Sequence, residues 1–283
     1  MKTPIPVSVI VPTFNRQPLL ERALQSVLGQ SVQPQEIIVI DDGSTDGTAD
    51  WLQTRYPQIR YHYQSNQGVS KARNTGISLA NNPWIALLDS DDQWLESKLA
   101  LQWERLNANP GYWLCHTEEI WMRHGKRVNA MNKHKKYAGY IYDKCLPLCA
   151  ISPSSVIFHR KLLDNVGWFD ETLPACEDYD LWLRICSRHP VLFIETPLIV
   201  KYGGHDDQLS RRYWGMDRFR IRGLLKILEE GELTPGDYQL TVAMLKEKCS
   251  IYVQGAIKRG KHTEAAYYQN IIDTIVGKNA AHA

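Results

Sequence analysis

Apolar and polar positions follow two rhythms along the first third of the chain. A β-branched run, Val7-Ser-Val-Ile-Val11, is closed by Pro12. Leu19, Leu20, Ala23, Leu24, Val27 and Leu28 then recur at the spacing of one helix face until Gly29. The same strand, loop and helix order returns with Ile37 to Ile40, the turn-rich Asp41-Asp-Gly-Ser-Thr-Asp-Gly47 and a helix through Trp51 and Leu52. It returns again with Ile59 to Tyr63, a polar loop and a helix from about Val69 to Ala80. A fourth run, Trp84 to Leu88, leads directly into Asp89-Ser-Asp-Asp92. Strands apolar on both faces and alternating with helices predict an α/β fold, a mostly parallel, Rossmann-like sheet flanked by helices. Ligands of such sheets sit beyond the carboxyl ends of the strands, where this chain gathers Asp, Asn, Gly and Arg.

After Glu119 the rhythm weakens into a basic stretch around Lys133-His-Lys-Lys-Tyr137, which predicts irregular or hairpin structure. Regular patterning resumes with a strand over Ser155 to Phe158, a short helix from Arg160 and a helical segment over Cys176 to Arg184. From Tyr213 onward the periodicity is helical: Phe219, Leu224, Leu225 and Leu228, then Leu240, Met244 and Leu245, then Ile251, Val253 and Ile257.

Composition narrows the classes. The 283 residues carry 33 Lys+Arg against 31 Asp+Glu, so no bulk charge points to nucleic acid as a partner. The six cysteines show neither a CxxC pair nor zinc spacing and read as buried free thiols of a reducing compartment. The start, Met-Lys-Thr-Pro-Ile-Pro, lacks the apolar run of a signal peptide, and no stretch reaches the roughly 20 apolar residues of a membrane span. The expected location is the cytoplasm. Nine Trp and fourteen Tyr against five Phe mark a bias toward aromatics with a polar handle.

The chemistry concentrates at strand ends. Asp89 and Asp91, two carboxylates at i and i+2 beyond a buried strand, can converge on a divalent cation, while Asp92 is placed to cap a following helix. Asp41 and Asp42 can accept from ribose hydroxyls or a base N–H, or serve a turn through Asx hydrogen bonds. Gly43 beside them permits close backbone approach. An EF-hand is excluded by its missing distal Glu, and a dinucleotide fingerprint by Pro12-Thr-Phe-Asn-Arg16 where glycines are needed. Lys71 and Arg73 fall in the first turns of a helix, where cations oppose the macrodipole. They call for an anionic partner, either the strand-end carboxylates or a nucleotide, unless the helix is simply solvated.

Five segments taken in order resemble the family 2 glycosyltransferases with the GT-A fold: Val7 to Arg16, Ile40 to Asp46, Asn66 to Gly76, Leu88 to Asp92 and Glu177 to Trp182. The resemblance covers about residues 5–205. It implies an inverting transferase that uses a nucleotide-diphosphate sugar, with UDP the expected nucleotide, and Mn or Mg. Carried over by position, Pro12, Thr13, Phe14 and Arg16 line the base and ribose pocket, Asp41 or Asp42 holds uracil or ribose, and Arg73 closes the nucleotide site. Asp89, Ser90 and Asp91 match the DxD element, in which Asp91 ligates the metal with Asp89 beside it. In the Glu177-Asp178 pair, Asp178 matches the general base. Inversion needs one such carboxylate, opposite the leaving diphosphate, to take the proton of the attacking hydroxyl. A helix cap is the alternative role for Asp178.

His205 resembles a late segment in which a His reaches the metal or diphosphate; a surface His is the alternative. Trp168 and the Ser152-Pro-Ser-Ser155 stretch, Ser154 included, lie where the acceptor is expected, although a core Trp fits the pattern equally. The resemblance divides residues 1–210 into a nucleotide half to about 92 and an acceptor half to 210, with a helical extension over 211–283. In that extension Asp217 to Lys226 is both basic and apolar, as suits a helix on an anionic membrane surface or a core helix with solvated Arg residues. The implied function is transfer to a saccharide or lipid-linked saccharide in cell-surface polysaccharide or glycan synthesis, in the cytoplasm or at the inner membrane face. The competing classes are a nucleotidyltransferase acting on a sugar phosphate, which would want a Gly-rich triphosphate loop near Thr13, and a non-catalytic sugar-nucleotide-binding protein of the same fold.

Overall fold

With no polar face to turn to solvent, the first β-branched run must lie inside a sheet. In the computed structural model, which describes residues 3–129, 131–204, 213, 215–230 and 232–280, it does. β1 (Ile5–Thr13) is followed by α1 (Gln17–Leu28), β2 (Pro34–Asp41), α2 (Thr48–Arg55), β3 (Arg60–Tyr63), α3 (Val69–Leu79) and β4 (Trp84–Leu87). These four strands are parallel, with β1 between β2 and β4 and with β3 at the edge. β1 runs past the expected stop at Pro12. Ile10 O accepts from Leu88 N–H and Thr13 O from Asp42 N–H, so the missing Pro12 N–H falls on the side where β4 has already ended.

Alternation assigns the two faces. Val7, Val9, Val11 and Val39 point to one apolar layer with Leu20, Leu24 and Leu52, while Ile10, Ile38 and Ile40 point to the other with Ala72 and Ile77. α3 lies very close to the second face. A Cβ on Gly76 would stand 2.3 Å from Ile10 Cγ2 and 3.1 Å from Ile40 Cγ1, which is why a glycine occupies the middle of this helix.

The remainder departs from a parallel sheet. β5 (Gln93–Trp94), α4 (Lys98–Asn107), β6 (Leu114–Arg123) and β7 (Lys126–Val128) follow; β6 and β7 form a hairpin ahead of the Lys133–Tyr137 stretch, which is irregular apart from a 3-10 turn at Asn132–His134. Then come α5 (Tyr142–Cys145), β8 (Ile157–His159), α6 (Lys161–Val166), α7 (Glu177–Cys186) and β9 (Leu192–Gly203). The described strands make one nine-stranded mixed sheet, ordered β3-β2-β1-β4-β8-β6-β9-β5 with β7 on β6. β8 is antiparallel to both β4 and β6, and β5 is antiparallel to β9. Asp92 does not cap a helix as expected, because β5 follows it and α4 begins only at Lys98.

Three further helices, α8 (Asp217–Glu229), α9 (Pro235–Lys258) and α10 (His262–Ala280), complete the chain. Phe219, Ile221, Leu224 and Leu245 join Tyr179, Trp182 and Ile185 of α7 in the second apolar layer. Of the two roles open to the basic helix, packing is the one observed. Arg220 pairs with Asp217 at 2.8 Å, Arg222 donates to Thr172 Oγ1 at 3.2 Å, and Lys226 pairs with Asp170 at 2.9 Å. No helix among the described residues is long and apolar enough to cross a membrane. All six cysteines are free thiols, five of them buried, with Cys149 half-buried. Most of the Trp excess is likewise packing; Trp94 and Trp182 are among the largest fully buried side chains.

Candidate active site

The ends of β1, β2 and β4 and the first turn of α7 meet in one cluster. β1 ends in Thr13, whose Oγ1 is buried without a hydrogen-bond partner, beside the buried Pro12 and the exposed ring of Phe14. Asn15 ties this end to the next strand: its N–H donates to Ser44 Oγ at 2.8 Å, and its Oδ1 accepts from Thr45 N–H at 2.7 Å. Gly43, at φ +93°, comes so close to Asn66 that a Cβ would lie 2.9 Å from its nitrogen.

Asp41 and Asp42 are both buried and both turned toward protein donors. Asp41 accepts from Ser44 N–H and from Tyr61 OH, each at 2.8 Å. Asp42 accepts from Gln64 Nε2 at 2.7 Å, Gln67 N–H at 3.0 Å and Gly68 N–H at 2.8 Å, and so fixes the entry to α3. The Asx reading is therefore realised. The pair shapes the pocket rim, and only lone pairs beyond these bonds remain for a ribose or base.

Arg73 is the hub. Its buried guanidinium donates to Asp89 Oδ1 at 2.7 Å and to Glu177 Oε1 at 2.6 Å, and the Phe169 ring lies 5.3 Å from its centre. Burial disfavours its charge, but Asp89 and Glu177 outweigh that and raise its pKa further. This answers the call for an anion: the partners are protein carboxylates. Lys71 finds Glu171 at 3.4 Å. The structure thus separates the Glu177-Asp178 pair. Glu177 is 4% exposed and held by Arg73, out of reach of an acceptor hydroxyl, whereas Asp178 is half-buried. Cys176, at φ +62°, makes the sharp entry into α7 that turns both toward the cluster.

Around the DxD element, Ser90 is buried, Arg16 Nη1 donates to Asp91 Oδ2 at 3.1 Å, and Arg22 Nη2 donates to Asp91 O at 2.6 Å. Asp92 lies inside, accepting from Ser154 Oγ at 2.6 Å and from Tyr202 N–H at 3.3 Å. Burial pushes its carboxyl well above the usual range, against the pull of Lys201. Ser154 corrects an expectation. It is fully buried, donating to Asp92 and accepting from Asp89 N–H at 3.1 Å, so it has no surface to offer an acceptor. Trp168 is 39% exposed and borders an open cavity of about 490 Å³ with His62, Lys71, Asn74 and Glu171. His205 lies outside the described residues.

Several residues that sequence reasoning passed over complete the surroundings. Glu119 is held by Ser152 Oγ at 2.7 Å, Trp121 Nε1 at 2.7 Å and Lys136 at 3.3 Å, and Lys201 donates to the same Ser152 at 3.0 Å. Tyr202 lies under the Arg22 guanidinium at 3.7 Å. A lysine closing the apolar run Leu198-Ile-Val was the available signal for Lys201; Glu119 carried none. Among the described residues no three His, Cys, Asp or Glu side chains are gathered to hold a metal ion by themselves.

Residues 8–167 match the family model described as glycosyl transferase family 2. A Rickettsia bellii (strain RML369-C) protein described as an uncharacterized glycosyltransferase is 32% identical over 186 residues, 65% of this chain, and the chain spans only 26% of its length. UDP-Glc:alpha-D-GlcNAc-diphosphoundecaprenol beta-1,3-glucosyltransferase WfgD of Escherichia coli is 31% identical over 197 residues, covering 68% of this chain and 74% of that protein. Among solved structures, S. aureus TarS 1-349 in complex with UDP-GlcNAc superimposes with a TM-score of 0.69 at 21% identity, over 86% of this chain and 71% of that one. The mannosyltransferase PcManGT from Pyrobaculum calidifontis, in complex with GDP-Man and Mn2+, does so with a TM-score of 0.59 at 20% identity, over 97% and 86%. Those two likenesses speak for the GT-A fold, and the matched segment speaks for the lineage. By that match and the relation to WfgD, the chain belongs to glycosyl transferase family 2.

Proposed function

We propose that this chain is an inverting, metal-dependent glycosyltransferase that moves a hexosyl or N-acetylhexosaminyl unit from a UDP-sugar to a hydroxyl of a saccharide or lipid-linked saccharide, in polysaccharide synthesis. The observation that carries this reading is the Arg73 bridge, which joins the DxD strand end at Asp89 to the first turn of α7, where Asp178 stands. WfgD, a UDP-Glc-dependent transferase to a diphosphoundecaprenol-linked sugar, supports the donor and acceptor classes.

The residues present fit the ligands. The orphaned Thr13 Oγ1 and the exposed Phe14 ring suit a nucleoside, with Arg16 on the phosphate side. Asp89 and Asp91 offer oxygen donors of the kind hard cations take, and their side chains keep 28% and 16% exposure. Mn or Mg held by Asp91 with Asp89 and diphosphate oxygens would stabilise the charge that develops on the leaving group.

Asp178 then accepts the proton of the acceptor hydroxyl as that oxygen bonds to C1 of the sugar. The C1–O bond to the diphosphate breaks, and its electron pair leaves with the nucleoside diphosphate. Attack and departure on opposite faces invert C1. Glu177 positions Arg73, and Trp168 presents a ring face for an acceptor sugar.

Calorimetry with UDP-Glc, UDP-GlcNAc and GDP-Man in the presence of Mn tests the donor, and Asp178→Asn tests the base. The substitution is expected to lower turnover by about 10²- to 10⁴-fold with donor binding intact. No binding of any of the three nucleotides, or wild-type turnover in Asp178→Asn, would overturn the reading.

A further inference from the structure

One short segment, residues 149–155, touches three carboxylates from three parts of the fold. Ser152 Oγ donates to Glu119 of β6 at 2.7 Å, Ser154 Oγ to Asp92 at 2.6 Å, and Cys149 Sγ to Asp178 Oδ2 of α7 at 3.1 Å. Ser154 also takes the Asp89 N–H, which fastens the segment to the strand end bearing the DxD element. The other Asp178 oxygen accepts from the neighbouring Tyr179 N–H at 2.7 Å.

Cys149 is half-buried, and its sulfur also lies 3.1 Å from Ile151 O, so both acceptors favour the protonated thiol. Burial, with the Asp178 charge behind it, pushes the thiol well above its ordinary range, in agreement with an S–H donor. A thiol donates weakly, so it orients a carboxylate while taking little of its basicity.

We propose that Cys149 is a positioning residue that holds the Asp178 carboxylate in register with Asp89 and Asp91 through the 149–155 segment. This rests on Asp178 being the base.

Cys149→Ala removes the donor and Cys149→Ser restores one. With the UDP-sugar that calorimetry selects, Cys149→Ala is expected to lower kcat by about tenfold with donor KM unchanged. Cys149→Ser should recover most of the rate. Cys149→Val, which fills the space without donating, should behave as Cys149→Ala and guards against a packing defect.

A second readout needs no turnover. The S–H stretching band isolated as wild type minus Cys149→Ala in the infrared should shift when Asp178 is changed to Asn. Wild-type protein that transfers no sugar would refute the functional reading and leave the infrared shift to judge the contact. An active wild type silenced by Asp178→Asn, beside a Cys149→Ala variant with unchanged kcat, would overturn the role of Cys149 alone. So would an S–H band indifferent to Asp178.

Discussion

Arg73 on α3 and Glu177 on α7 stand 104 positions apart and meet at 2.6 Å, both of them buried. Breaking a buried pair leaves the surviving charge without a counterion, so Arg73→Ala should cost about 3–5 kcal/mol of folding stability. Arg73→Lys, a single point of charge in place of a fork that spans two carboxylates, should recover only part. The urea midpoint reads both, and equal midpoints for Arg73→Ala and wild type would remove the bridge from the account.

The proposed metal-ligand role of Asp91 can be read from donor binding. Asp91→Ala should abolish the portion of UDP-sugar affinity that Mn adds, while affinity in EDTA stays the same as wild type. Superimposable Mn titrations for the two proteins would refute the ligand role.

Ser154→Ala strips Asp92 of its 2.6 Å donor and Asp89 N–H of its acceptor, both inside the protein. Leaving such groups unmade costs about 1–3 kcal/mol each. Thermal unfolding should record the loss, and a donor-affinity drop should accompany it because Asp89 is no longer fixed. An unchanged melting temperature would contradict the buried placement of Ser154.

Acid lability should carry the mark of His116. Burial first, then Lys136, pushes this ring down to about 3, against its bond to Tyr137 O and the Glu119 charge. Between its ordinary 6.5 and that value the unfolded chain binds a proton that the native chain refuses. Stability therefore falls as pH drops through this window, by up to about 1.4 kcal/mol per pH unit. Glu119 acts in the same direction lower down: despite burial, Lys136 and Lys201 hold it at about 2, so its contribution is lost as pH falls from 4.5. Urea unfolding at several pH values should show a flatter slope for His116→Gln between pH 4 and 6.5 than for wild type. Parallel slopes would show that the ring titrates normally.

Gly76→Ala gains helix propensity of about 1 kcal/mol, yet it sets a methyl 2.3 Å from Ile10 Cγ2. Overpacking should win, with a net loss of about 1–3 kcal/mol. In an Ile10→Ala background the same change should cost less, and a double-mutant cycle measures the difference. A stabilised Gly76→Ala would mean that α3 stands farther from the sheet.

What the sequence made legible was local. The Val and Ile runs, the Asp89-Ser-Asp91 strand end and the Glu177-Asp178 pair are each read within a few residues; the runs form strands, Asp89 to Asp91 follow β4, and Glu177-Asp178 opens α7. What it hid depends on partners far along the chain. Ser154 looked open to an acceptor because nothing near it announces Asp92, 62 positions away, and the anion beside Arg73 stayed open between strand-end carboxylates and a nucleotide because Glu177 is 104 away. Asp92 looked like a cap because a helix does begin nearby, but a two-residue strand intervenes. The antiparallel course of β8 escaped for the same reason: a three-residue strand carries no sign of its direction.

The helices after residue 216 have a consequence for anyone who would splice this chain to a relative. Phe219, Ile221 and Leu224 of α8 lie in the same apolar layer as Tyr179 and Trp182 of α7, and Lys226 reaches Asp180 at 3.4 Å. Tyr142 OH bonds Thr241 Oγ1 at 2.6 Å, and Lys248 Nζ donates to Pro147 O at 2.9 Å. A chimera cut near 210, where family resemblance fades, would strip the back of the helix that bears Asp178. The transplantable unit is the sheet with its trailing helices, so the least alike portion of the sequence has to travel with the most alike.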